Sequence, residues 1–103
     1  MYSVNITDYA FGQLSGIKQY LSRDSIDMAT RITDEIVDFS LERLADFPFS
    51  GPKVFDNYSY RNIFKHSYRI VYEVLEKEVN ILTIIHTHQD IERIIEQLGL
   101  MQK

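Results

Sequence analysis

The feature that most constrains this chain is the stretch from Tyr68 to His88. Tyr68-Arg69-Ile70-Val71-Tyr72-Glu73-Val74 and Val79-Asn80-Ile81-Leu82-Thr83-Ile84-Ile85-His86 are rich in β-branched and aromatic residues, which favours strands. They meet at a charged break, Glu76-Lys77-Glu78, too short for anything but a hairpin. The apolar content makes it a buried hairpin. Arg69 just inside the first strand, and His86 and His88 at the end of the second, are residue types that contact phosphate or move protons. A hairpin can bring them to one end of a sheet.

The 103 residues suit one domain, 1–103, with one core. Without cysteine there is no disulfide framework and no thiolate metal site. The start, Met1-Tyr2-Ser3-Val4-Asn5-Ile6, lacks the basic and apolar runs of a signal peptide. No apolar run approaches the ~20 residues that span a bilayer. A soluble, cytoplasmic protein without membrane partners is expected. The net charge of −4 argues against long-range attraction to nucleic acid. Charge is segregated, with seven acids and two bases from Asp24 to Asp46. Lys53, Arg61, Lys65 and Arg69 oppose Asp56 from Lys53 to Tyr72. This is either a solvated helix face beside an ordinary sheet or a local basic patch.

Upstream of the hairpin, Tyr2, Val4 and Ile6 alternate with polar residues, as in a short strand. Thr7 or Asp8 can cap a helix whose stripe is Ala10, Leu14, Ile17 and Leu21. After Ser22-Arg23-Asp24-Ser25, a longer helix carries Ala29, Ile32, Ile36, Val37, Leu44 and Phe47, ending at Phe47-Pro48. The two should form an antiparallel helical hairpin. A strand is predicted over Tyr58–Lys65 with a turn at His66-Ser67. Thr87-His88-Gln89-Asp90 matches a capping box, with Asp90 in the place more often taken by Glu or Gln and His88 in the first turn. Ile91, Ile94, Ile95 and Leu98 form an apolar stripe, and Gly99 stands where a C-cap belongs. The class is α+β: β-α-α-β-β-β with a mostly antiparallel sheet packed on the N-terminal helical hairpin, plus a short C-terminal helix, the helices on one face.

Candidate chemistry is sparse. Arg69 suits a phosphate or a developing phosphorane charge, but on its own residues a structural ion pair with Glu73 is the favoured reading. His86 and His88 can serve as a general acid or base, or end a strand and begin a helix. Metal binding is disfavoured, because only His66 remains as a third imidazole; no metal or cofactor is expected. Arg61 and Lys65 share a strand face and with Arg69 could make a cationic row. Tyr58, Tyr60, Tyr68 and Tyr72 could stack on bases, although tyrosine is also simply a good strand residue. Neither a phosphate loop nor a nucleophile elbow nor HExxH is present.

In order and spacing, several pieces resemble the RelE/ParE superfamily of bacterial type II toxin–antitoxin toxins. They are Ile17-Lys18-Gln19-Tyr20-Leu21, Leu44-Ala45-Asp46-Phe47-Pro48 with Gly51, Tyr60-Arg61-Asn62-Ile63, Tyr68 to Val74, and Ile81 to His86. The resemblance covers nearly the whole chain. It implies a cytoplasmic growth-inhibiting toxin, of a kind tied to plasmid or chromosomal stability, neutralised by a cognate antitoxin. Operator DNA would be reached only through that antitoxin, in a toxin–antitoxin hetero-oligomer or with a homodimer. ParE-like members inhibit DNA gyrase and are not known for a catalytic site. RelE-like members cleave mRNA on the ribosome. By resemblance, Arg61, Arg69 and His86 would be catalytic in the ribonuclease case, and Arg61, Lys65 and Arg69 would bind the target. Arg69 matches an arginine common to both branches. The Phe-Pro-x-x-Gly loop, the Ile-Ile-His ending and the acidic balance lean towards ParE. A degenerate, non-toxic binding partner or co-repressor is the third reading.

Overall fold

The first strand, β1 (Ser3–Ile6), ends at Thr7, whose hydroxyl accepts from the Ala10 N–H at 3.2 Å and so caps helix α1 (Asp8–Leu21). The same hydroxyl donates to the Ile81 carbonyl at 2.8 Å, tying the cap to the sheet. Helix α2 (Ile26–Asp46) is capped by Ser25, which accepts from the Met28 N–H at 3.1 Å. It stops at Phe47, ahead of buried Pro48. Strands β2 (Arg61–Lys65), β3 (Tyr68–Leu75) and β4 (Glu78–His86) and helix α3 (Ile91–Gln102) complete the chain. This computed structural model describes residues 1–56 and 58–102, the last three of them by backbone alone.

The sheet order is β1-β4-β3-β2. β1 runs parallel to β4, and the two later pairings are antiparallel. The α+β order read from the sequence is the observed one, with corrections of detail. Tyr58 to Tyr60 lie outside β2, which begins at Arg61. Glu78 belongs to β4, paired with Leu75, so the hairpin turn is Glu76-Lys77 alone. Phe47 ends α2 pointing outward, 63% exposed, instead of closing its apolar stripe.

The helices do not all share one face. Ala10, Leu14, Ile36 and Leu44 of the α1–α2 hairpin pack with Ile63, Tyr68, Ile70, Tyr72, Val79, Ile81 and Ile84. Ile95 and Leu98 of α3 instead join Tyr60, Val71 and Leu82 on the opposite face. The sheet is a middle layer, and its two faces follow from strand alternation. Polar side chains within the hairpin are satisfied locally: Thr33 donates to the Ala29 carbonyl (2.9 Å) and Ser40 to that of Ile36 (2.7 Å). Between β3 and β4 the register slips at Val71/Tyr72, leaving Leu82 as the extra residue of a bulge. Beside it, the Gln13 side-chain oxygen accepts from both the Thr83 hydroxyl and the Ile84 N–H (3.0 Å), locking α1 onto the sheet.

Asp90 caps α3, accepting from the Arg93 N–H at 3.3 Å. The Thr87 capping box is therefore not used, and His88 lies in a turn before the helix. Gly99 lies within α3 and does not terminate it.

Candidate functional site

Arg61 opens β2, opposite Tyr72, and Lys65 closes it, opposite Tyr68. Both therefore lie on the sheet face covered by α1 and α2. Arg69 pairs with Phe64 and points to the other face, with Val71. The cationic row across adjacent strands does not form: the two β2 cations and Arg69 flank the edge strand from opposite sides. His86 pairs with Tyr68, one step from the Arg69–Ile85 pair. Arg69 and His86 thus share an end of the sheet but not a face. Arg61, Arg69 and His86 do not converge on a common point.

Each of these residues is held in a defined way. Arg61 donates through Nη1 to the Gly51 carbonyl at 2.8 Å and lies over the Phe49 ring at 5.2 Å. Lys65 Nζ stands 5.3 Å from the Phe39 ring centroid. Arg69 Nη1 donates to Asn62 Oδ1 at 2.6 Å, and its guanidinium carbon lies 4.9 Å from the Phe64 ring centroid. The ion pair with Glu73 is not made; the partner is the neutral Asn62. Arg69 Nε is buried without a hydrogen-bond partner, and desolvation lowers the guanidinium pKa from its ordinary value. Glu73 is half-buried on the same face, and its carboxyl pKa is raised by desolvation.

His86 lies edge-on to Tyr68, ring centroids 5.5 Å apart, and stacks on His88 at 4.8 Å. Its Nδ1 accepts from the His88 backbone N–H at 3.1 Å, which leaves Nε2 as the ring's donor. A groove of about 520 Å³ opens beside it, lined by Ile17, Tyr20, Tyr68, Ile84 and Gln89. The groove is mainly apolar, and besides His86 its titratable lining is the phenols of Tyr20 and Tyr68. Among the described residues, no three His, Cys, Asp or Glu side chains cluster to hold a metal ion. Tyr60, Tyr68 and Tyr72 are buried, which removes them from base stacking. Burial also raises the pKa of each phenol.

Three residues organise the site in roles that the sequence did not assign to them. Asn62, 3% exposed, joins Arg69 to the Pro52 carbonyl (2.9 Å). Tyr72 accepts from the Gly51 N–H at 3.1 Å through its hydroxyl. Gly51 has no room for a side chain: a Cβ there would overlap the Asn62 carbonyl oxygen and come within 2.8 Å of the Tyr72 hydroxyl and 2.9 Å of Ile63 Cγ2. The available signal was the polar Asn62 in an apolar strand and the Gly-Pro pair at 51–52.

The family model described as ParE toxin of type II toxin–antitoxin system, parDE, matches residues 4–91. Among solved structures, the chain is similar to one of the chromosomal ParDE toxin–antitoxin system from P. aeruginosa: 20% identity over 84% of this chain and 96% of that one, TM-score 0.70. It is also similar to one of the RelBE2 toxin–antitoxin complex from Mycobacterium tuberculosis: 21% identity over 82% and 96% of the two chains, TM-score 0.66. At these identities the structural likeness speaks for the fold. No match is found among curated protein sequences.

Proposed function

Because this chain belongs to the ParE toxin family of type II toxin–antitoxin systems, we propose that it arrests growth by inhibiting DNA gyrase until a cognate antitoxin neutralises it. It is the ParE-like toxin component of such a system; the gyrase target and the antitoxin are the proposed part. In this reading residues 1–103 act as a single toxin domain in the cytoplasm, assembled with the antitoxin, which alone carries contact to operator DNA. Among the described residues no helix is long and apolar enough to cross a membrane.

The observation that carries the choice of gyrase over mRNA is the separation of Arg61, Arg69 and His86. General acid–base cleavage needs its groups within hydrogen-bond reach of one reacting centre. Here Arg69 faces away from the other two, and its Nη1 is already given to Asn62. Protein binding makes no such demand. Arg61 and Lys65 on one side of β2 and Arg69 on the other can all touch a target that clasps this edge strand.

The test is plasmid supercoiling by purified gyrase with the full chain added. Supercoiling should fall with toxin concentration, and the Arg61→Ala/Lys65→Ala pair should weaken the effect about tenfold, as expected when central interface cations are removed. Intact supercoiling together with halted translation and cleaved mRNA would sink the gyrase reading in favour of a ribosome-dependent nuclease. A wild-type chain that is harmless without antitoxin would favour a non-toxic co-repressor.

A further inference from the structure

The groove beside His86 is walled by α1 on one side and by the start of β3 and the end of β4 on the other. Its volume, about 520 Å³, is that of a small-molecule pocket. Gly16 keeps it open: it stands in the α1 wall, and nothing lies within 4 Å of where its Cβ would be. Ile17, Ile84 and Ile85 supply apolar walls. Tyr20, Tyr68 and His86 add flat rings, the last two edge to face at 5.5 Å. Among the described residues, no Asp, Glu, Lys or Arg lines the groove.

The polar atoms fall into two sets. The acceptors are already engaged within the chain. Gln13 Oε1 takes the Thr83 hydroxyl and the Ile84 N–H (3.0 Å), Gln89 Oε1 takes the His86 N–H (3.3 Å), and His86 Nδ1 takes the His88 N–H (3.1 Å). The donors are not engaged. Among the described residues, the Tyr20 and Tyr68 hydroxyls and His86 Nε2 have no protein hydrogen-bond partner. The Tyr68 ring is only 8% exposed, yet its hydroxyl is not sealed off, and it meets solvent at the groove. Burial, and after it the nearby Tyr20 phenol, raises the Tyr68 pKa, so the hydroxyl keeps its proton and remains a donor.

We propose that this groove binds a small, uncharged, planar fused-ring aromatic compound that carries a carbonyl or ring-nitrogen acceptor. Its rings lie against Ile17 and Ile84, and its acceptor takes the Tyr68 hydroxyl and His86 Nε2–H. The lining decides the class. A carboxylate, phosphate or ammonium would lose water there without meeting an opposite charge. A phenylalanine or tryptophan side chain of another protein would fill the space but bring no acceptor to the free donors. The walls are held in advance, because Gln13 locks α1 onto the sheet, so little ordering remains for a ligand to cause. The site makes no use of the β2 edge, so it stands or falls apart from the gyrase reading.

The probe is chromone, a bicyclic ketone with acceptors and no donor, titrated into the full-length ¹⁵N-labelled chain. Amide shifts should gather at Gly16, Ile17, Tyr20, Tyr68, His86 and Gln89, with a Kd below about 1 mM for a ligand of this size. Gly16→Leu fills the groove from a helix position where the added side chain meets nothing. It should weaken binding at least about tenfold while thermal unfolding by circular dichroism stays at or above the parent's. Tyr68→Phe keeps the ring and removes the donor, and should weaken binding about threefold to tenfold. Indole, which has a donor and no acceptor, and the charged chromone-2-carboxylate should each bind at least about fivefold more weakly than chromone. No saturable binding of chromone, shifts centred elsewhere, undiminished binding by folded Gly16→Leu or by Tyr68→Phe, or indole or the carboxylate binding as tightly as chromone would each overturn the proposal.

Discussion

Replacing Gly51 by alanine should cripple the fold, while the same change at Gly12 should strengthen it. At position 51 the new methyl would overlap the Asn62 carbonyl oxygen and crowd the Tyr72 hydroxyl at 2.8 Å and Ile63 Cγ2 at 2.9 Å. Two of these neighbours are backbone and a buried ring hydroxyl, so neither can swing aside; the loop must lift. Lifting it breaks the Gly51 N–H bond to Tyr72 and the Arg61 bond to the Gly51 carbonyl. Tyr72 is 0% exposed, so its hydroxyl would be left dry and unpaired. Losing that bond costs about 1–3 kcal/mol, and the displacement of packed atoms about as much again. Together they take about 2–6 kcal/mol from a total of roughly 5–15. For a chain of this size, thermal unfolding by circular dichroism should drop by about 8 °C or more. At Gly12, inside α1, nothing lies within 4 Å of the added Cβ. Alanine there should gain about 0.5–1 kcal/mol from helix propensity and reduced chain entropy. If Gly51→Ala unfolds within about 0.5 kcal/mol of the parent, the loop re-seats freely and the reasoning is wrong.

Asn62→Ala should cost about 2–3 kcal/mol in urea unfolding, because it strips the remaining partner from half-buried Arg69; adding Arg69→Met should restore part of the loss, and no restoration would assign the cost to the cavity alone. Glu76 holds φ at 55°, which side-chain-bearing residues resist, so Glu76→Gly should raise stability by up to about 1 kcal/mol; an unchanged or lower unfolding midpoint would show that the turn carries no strain. Burial raises the Glu73 pKa, so the native state holds its proton more tightly than the unfolded chain and loses stability as pH rises through the window above the ordinary carboxyl value. Glu73→Gln should therefore unfold at a higher temperature than the parent at pH 7, the two converging towards pH 4; a gap independent of pH would contradict the assignment.

Much of this fold is written locally. Thr7 and Ser25 are strong helix starts, Pro48 is a strong stop, and the β3–β4 runs have no reasonable state but a hairpin. What sequence left open was the facing of the later elements. The stripe of Ile91, Ile94, Ile95 and Leu98 shows that α3 must be covered, but not from which side; only the chain's path after His86 carries it to the face of Val71 and Leu82. The Gly99 cap failed for a related reason: propensity marks a plausible stop, and tertiary packing carries the helix past it. Asn62 meets Pro52 across 10 residues of sequence and Tyr72 meets Gly51 across 21, separations no local pattern encodes.

The same alternation that hid the site also shapes what it can do. One face of the sheet is occupied by α1 and α2, and α3 covers part of the other. β1 lies at the far edge, its neighbour Thr7 tied to Ile81. That leaves β2 as the strand whose flanking cations reach solvent from both sides. An active site gathers its groups onto one reacting atom, whereas this edge spreads Arg61, Lys65 and Arg69 around a ridge. A ridge of held, ring-stacked cations is poorly suited to proton transfer and well suited to being gripped by another protein. Rigidity matters here as much as charge. Arg61 is fixed through Gly51, and Gly51 through Tyr72, so a fully buried core residue sets the position of a surface cation. Little side-chain freedom remains for a partner to remove on binding.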